Sequence, residues 1–224
     1  MSAIAYYIRS SILKKQVMGV TGLLLCGFLL THFLGNTLLF VSSDAFNTYA
    51  YTLTSNPLIY LAEAILGAIF LAHVGMALKL VIENKAARGD QEYFIKTKTG
   101  RGSTFASSTM PYTGTLIFVF LVLHLLQFKF GPEYMTVVNG VEMRDIYKTV
   151  VEYFQSPLNV LWYVVAMFLT AIHVSHGFWS AFQSLGFNHS KYNGIINISS
   201  KAFGVLVALG YSSIAIFCFL KGGM

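Results

Sequence analysis

The chain has 224 residues, 55% hydrophobic and only 11% charged, with a net charge of +6. Soluble domains carry about 25% charged residues, so this composition excludes an ordinary water-soluble enzyme or binding module. The basic excess does not point to nucleic acid either, because the lysines and arginines gather between apolar runs.

Several of those runs reach the roughly 20 residues that cross a bilayer as a helix. Five spans are predicted: 16–41, 58–78, 112–130, 158–182 and 199–220. Backbone polar groups in lipid must be satisfied internally, so each should be helical. The expected fold is an all-α integral membrane protein in one domain, residues 1–224. The N-terminal stretch MSAIAYYIRSSILKKQ is basic and precedes an apolar run. That run is long and lacks an A-x-A-like cleavage site, so it reads as a retained span. The link SSDAFNTYAYTLTSNP is short and polar. Pro57 and Pro157 suit the first turns of the second and fourth helices, where a missing N–H costs little. The second link, about 27 residues by its sequence, is basic. Within the third, MRDIYKTVVEYF has the apolar period of a short interfacial helix. The two cysteines, Cys26 and Cys218, offer neither a disulfide framework nor a metal-binding spacing.

The positive-inside rule orients the chain. Arg9, Lys14, Lys15, Lys79, Lys85, Arg88, Lys96, Lys98, Arg101, Lys191 and Lys201 fall on one side; Lys129, Arg144, Lys148 and Lys221 fall on the other. The N-terminus and the second link should therefore face the cytoplasm, and the C-terminus the outside.

Histidines stand out inside the spans: His32, His73, His124, His173 and His176. Ionisable residues at such depths are rare and suggest function. His32 lies about 24 Å past Gln16 along its helix, in the outer half. His124 closes the third span and is also outer. His73 and His173 each follow a helix-starting proline by the same number of residues (57 to 73, 157 to 173), which puts both in the cytoplasmic half at nearly one depth. A lone intramembrane histidine is more often an interhelical hydrogen-bonding group. Four of them, one per helix and depth-matched in pairs, favour bis-histidine ligation of two haem b groups. Depths this different argue against one converging metal site. Gly19, Gly22, Gly27, Gly35, Gly67, Gly75, Gly114 and Gly177 suit close approach to a haem face, or ordinary close packing of membrane helices.

Four stretches, TGLLLCGFLLTHFLGN, NPLIYLAEAILGAIFLAHVGMAL, TGTLIFVFLVLHLLQF and HVSHGFWSAFQSLG, carry a family resemblance. In order and spacing the chain resembles the cytochrome b membrane-anchor subunits of succinate dehydrogenases and fumarate reductases, of the five-helix, two-haem type. The resemblance implies that the first four helices form a haem-binding bundle. It implies His73 and His173 as axial ligands of an inner haem, and His32 and His124 of an outer one. In related cytochromes the fourth-span ligand precedes a glycine by four residues, followed by an aromatic, which fits His173 with Gly177 and Trp179. A flavoprotein subunit would interconvert succinate and fumarate, and an iron–sulfur subunit would relay electrons to the anchor. The anchor would then pass them to a quinone, with menaquinone expected. The chain would thus be the electron-transfer and quinone-site subunit of an enzyme in the cytoplasmic (inner) membrane. The basic second link is a docking surface for the hydrophilic subunits or an orientation signal only.

Glu63, the one acidic residue well inside a span, is a candidate for quinone proton transfer or a carboxylate reaching interfacial water. Gln127, one turn from His124, suits a hydrogen bond to quinone or a haem propionate, or packing. His176, Lys14, Lys15 and Arg9 suit the inner propionates, or solvation as snorkelling cations. Some fumarate reductases of this family carry a glutamate two residues before the fourth-span ligand; here that position is Ala171, which puts their proton route in doubt. Two other readings stay open: the dihaem subunit of another respiratory oxidoreductase, and a haem-free bundle or transporter with histidines as polar glue.

Overall fold

The computed structural model describes residues 10–88 and 104–222. Five of its helices are long and apolar enough to cross a membrane: Ser11–Phe40, Leu58–Ala87, Phe105–Lys129, Pro157–Ser184 and Ser190–Gly222. Leu24, Leu61, Leu71, Leu161 and Leu209 lie exposed along them. In water such faces would form apolar patches far beyond those of a soluble monomer; in lipid they are the solvated surface. The chain is a multi-pass membrane protein.

The first span is α1 (Ser11–Asn36) extended by a 3₁₀ turn, Thr37–Phe40. The Ser10 side chain caps it, accepting from the Leu13 N–H at 3.2 Å. The link that follows is largely helical: α2 runs Ser43–Thr54 with Ser42 as its N-cap. The second span, α3 (Leu58–Arg88), starts directly after Pro57. The third, α4 (Phe105–His124), begins with a capping box between Thr104 and Ser107 and passes directly into a π-helical turn, Leu125–Lys129. Arg144 secures that turn's end, donating to the carbonyls of Phe128 at 3.2 Å and Lys129 at 3.2 Å.

Outside the third span a two-stranded antiparallel hairpin, β1 (Met135–Val138) and β2 (Val141–Arg144), leads into α5 (Ile146–Tyr153). The interfacial helix of the sequence reading is present, shortened because Met143 and Arg144 belong to a strand. Asn139 and Gly140 turn the hairpin with φ of 51° and 79°, the paired positive values of a type I′ turn. The fourth span, α6 (Pro157–Ser184), carries Pro157 in its first turn. The fifth is α7 (Ser190–Val205), a π turn at Leu206–Gly210 and α8 (Tyr211–Gly222).

The helices outrun the predicted spans, mostly toward the basic side. The second continues to Arg88, the third starts at Phe105 rather than 112, and the fifth starts at Ser190 rather than 199. Hydropathy marks where lipid begins, whereas caps and packing decide where helix begins. The fourth span is the centre of the bundle, packed against the first, third and fifth; the second lies along the first and only grazes the third. Its core includes Ala166, Met167, Ala171, Val174, Val207 and Ala208. A second core sits under the cap formed by α2, the hairpin and α5, where Leu39, Phe46, Phe154, Tyr163 and Cys218 meet. Asn47, 1% exposed, ties the cap together. Its amide donates to Asp145 at 2.8 Å and its carbonyl accepts from the Tyr147 N–H at 2.9 Å.

Candidate functional site: two levels of paired histidines

The first and third spans each carry a Thr-Gly pair, Thr21-Gly22 and Thr113-Gly114. Each threonine hydroxyl bonds back into its own helix, Thr21 to the Val17 carbonyl at 2.8 Å and Thr113 to the Thr109 carbonyl at 3.1 Å. This back-bonding fixes the hydroxyl proton and leaves the oxygen's lone pairs facing a neighbouring helix. Across from Thr21 stands Nδ1 of His73 at 3.2 Å; across from Thr113 stands Nδ1 of His173 at 3.1 Å. The glycines make room for these rings. A Cβ on Gly22 would lie 3.3 Å from Cε1 of His73, and one on Gly114 would lie 3.3 Å from Cε1 of His173.

A threonine whose proton stays on its own helix can only accept, and the matching tautomer has Nδ1 as the donor. The Nδ1–H tautomer leaves the Nε2 lone pair free, the state in which imidazole ligates a metal.

The other level is built differently. The His32 and His124 rings meet in a T-shaped arrangement, with centroids 5.9 Å apart and planes at 83°. His32 stacks on Phe28 at 5.3 Å and on Tyr211 at 6.1 Å. His124 bonds through Nδ1 to the Tyr163 hydroxyl at 3.2 Å, and that hydroxyl donates to Oε1 of Gln127 at 2.7 Å. The chain again makes Nδ1 the donor and frees Nε2. The π turn begins immediately after His124; such turns are frequent at functional sites.

The two levels are well separated. His32 follows Thr21 by eleven positions, and His124 follows Thr113 by the same number, about 16 Å at the helical rise. The Thr-Gly-x₉-His pattern on the first and third spans, with the equal Pro-to-His spacing on the second and fourth, is an internal repeat. Of the two spacings, the Pro-to-His one enters the sequence reading and the Thr-Gly one does not.

The predicted glycines divide into two groups. Gly19 packs on Ala181 and Gly35 on the Tyr49 ring, whereas a Cβ at Gly27, Gly67, Gly75 or Gly177 would meet no atom within 4 Å. Among the described residues no cluster of three or more His, Cys, Asp or Glu could hold a bare metal ion.

The other predicted residues are dispersed. Glu63 pairs with Lys129 across the second and third spans, both side chains about two-fifths exposed (43% and 41%). Gln127 belongs to the Tyr163 chain and also lines a cavity of about 230 Å³ beneath the cap, with Pro132, Tyr134, Thr149, Glu152 and Tyr153. There the Tyr134 hydroxyl bonds Glu152, which holds the phenol above its ordinary range. Lys14, largely buried, pairs with Glu83 at 2.6 Å. His176 is half-buried one turn beyond His173. Arg9 lies outside the described residues. Sequence reasoning missed Thr21, Thr113 and Tyr163; the Thr-Gly repeat was the available signal for the first two.

No family model, curated protein or solved structure matches this chain.

Proposed function

We propose that the chain is the dihaem cytochrome b membrane anchor of a succinate:quinone oxidoreductase, a succinate dehydrogenase or fumarate reductase. The observation that carries the reading is the approach of His32 and His124 from separate helices at one level, with the Nδ1 atoms of His73, His124 and His173 engaged by hydroxyls from other helices. His73 and His173 are the axial ligands of the inner haem, and His32 and His124 those of the outer. The haems supply one-electron redox chemistry across the bilayer.

The protein's own groups have separable tasks. Thr21 and Thr113 hold the inner imidazoles in one tautomer and orientation. Gly22 and Gly114 give those rings room. Phe28 and Tyr211 clamp the His32 ring. On the outer side Glu63 and Gln127 are the polar groups available to a quinone, with Glu63 the proton acceptor for the quinol. His176 lies beside the inner pair, in reach of haem propionates. The flavoprotein and iron–sulfur subunits dock on the cytoplasmic face, with the N-terminus inside and the C-terminus outside.

The test is a reduced-minus-oxidised optical spectrum of the purified chain with a haem assay. Two b-type haems per chain are expected; none, or one, overturns the reading. Co-purification of a flavoprotein and an iron–sulfur protein from native membranes supports the succinate:quinone assignment. Co-purification of a different oxidoreductase replaces it.

A further inference from the structure

The outer histidines are held by two different devices, whereas the inner two share one. Both inner imidazoles lean on threonines whose own protons are tied into a helix. Of the outer two, His32 is held by ring stacking, and His124 bonds a tyrosine whose proton is directed away from it, onto Gln127. Tyr163 is itself locked. It is 7% exposed and is enclosed by the rings of Phe120, Phe128, Tyr153 and Phe154, the last at 4.8 Å and 89°. The partners of its hydroxyl are His124 and Gln127. Its oxygen is a fixed acceptor for His124 Nδ1–H as long as Gln127 Oε1 takes its proton.

We infer that Tyr163, with its proton held by Gln127, is the positioning residue of the outer site: it sets the tautomer and electron-donating strength of His124 and thereby poises the outer haem separately from the inner. This rests on the dihaem reading above. The physical link is the ligand's second hydrogen bond. An imidazole whose Nδ1–H is donated to a good acceptor is more basic at Nε2 and favours the ferric state. Losing the acceptor raises the reduction potential. Losing Gln127 alone frees the tyrosine proton, which then competes for Nδ1 and weakens the same bond.

The experiment uses the full chain in native membranes, with both haems titrated optically and the ferric EPR signals recorded. Tyr163→Phe keeps the ring packing and removes only the hydroxyl. The expected result is an upward shift of the outer midpoint and a changed outer ferric EPR signal, with the inner haem unmoved. Gln127→Leu, which leaves Tyr163 in place, should shift the outer midpoint in the same direction. An outer midpoint at the wild-type value in either variant, or equal shifts of both haems, overturns the inference. If Tyr163→Phe does not accumulate, Gln127→Leu decides by the same criteria. A wild-type chain without two haems fails the underlying reading instead, and is distinguishable because it is seen before any substitution.

Discussion

The Thr113 hydroxyl lies 3.1 Å from Nδ1 of His173, with its own proton bonded back to the Thr109 carbonyl. Valine at 113 keeps the shape and removes the acceptor. Loss of such an outer-shell partner typically costs 10–100-fold in affinity for the bound group. Thr113→Val is therefore expected to weaken retention of the inner haem by roughly tenfold or more and to spare the outer haem. Thr21→Val should act on the same haem through His73. Haem content after detergent washing, resolved by potentiometric titration, checks both; loss from the outer site would contradict the assignment of levels.

Gly114 tests the same level by volume rather than hydrogen bonding. A Cβ there already sits 3.3 Å from the His173 ring, so a methyl is borderline and a leucine cannot be housed without moving the imidazole. Overpacking of this kind costs about 1–3 kcal/mol even in adaptable cores. Gly114→Leu should reduce the haem-to-protein ratio from two to one, whereas Gly114→Ala should keep both haems with a perturbed inner spectrum. Gly22→Leu is its counterpart on the first span. An unaltered spectrum in both leucine variants would show that these rings hold nothing.

What was legible in the sequence follows from how local each signal is. The five spans were legible because lipid demands a continuous apolar run. Their ends were not, since Ser190 and the polar turns after it are helical for a tertiary reason. Gly204 packs that helix onto the fourth span, where an added Cβ would come within 3.0 Å of Ser175 and 3.1 Å of the Ala171 carbonyl. Asn139-Gly140 between apolar neighbours is a hairpin signal in the sequence, and the helical period of the residues that follow overlaps and masks it. The Thr-Gly-x₉-His repeat was fully present in the letters. Tyr163 was not recoverable: nothing local separates it from the other tyrosines, and its partners His124 and Gln127 lie on another helix.

Asn47 joins α2 to the Asp145 cap of α5, and both of its polar ends are used. Leucine at 47 would keep the volume but leave a carboxylate and a backbone N–H without their buried partner. Each loss of this kind costs about 1–3 kcal/mol. Asn47→Leu should therefore destabilise the outer cap by roughly 2 kcal/mol or more, visible as a lower thermal midpoint in detergent. Because the cap packs on Tyr163 through Phe154, the outer haem should be released before the inner one on heating. Simultaneous release would place the cap outside the stability of the outer site.

Glu63 and Lys129 form an ion pair between the second and third spans, and both are substantially exposed. Pairs of this exposure are worth about 0–1 kcal/mol, so Glu63→Gln should leave the thermal midpoint and haem content near wild type. Its role in proton transfer is a separate matter. General acid–base groups typically contribute 10²–10⁴-fold, so the same variant should slow quinol-driven reduction of the haems by about a hundredfold. Reduction by dithionite, which needs no proton acceptor, should be unchanged. Lys129→Met breaks the same ion pair while keeping the carboxylate. If Lys129→Met slows quinol oxidation as much as Glu63→Gln does, the pair orders the two helices and the carboxylate is not the acceptor. A slow Glu63→Gln beside a near-normal Lys129→Met assigns the proton to Glu63.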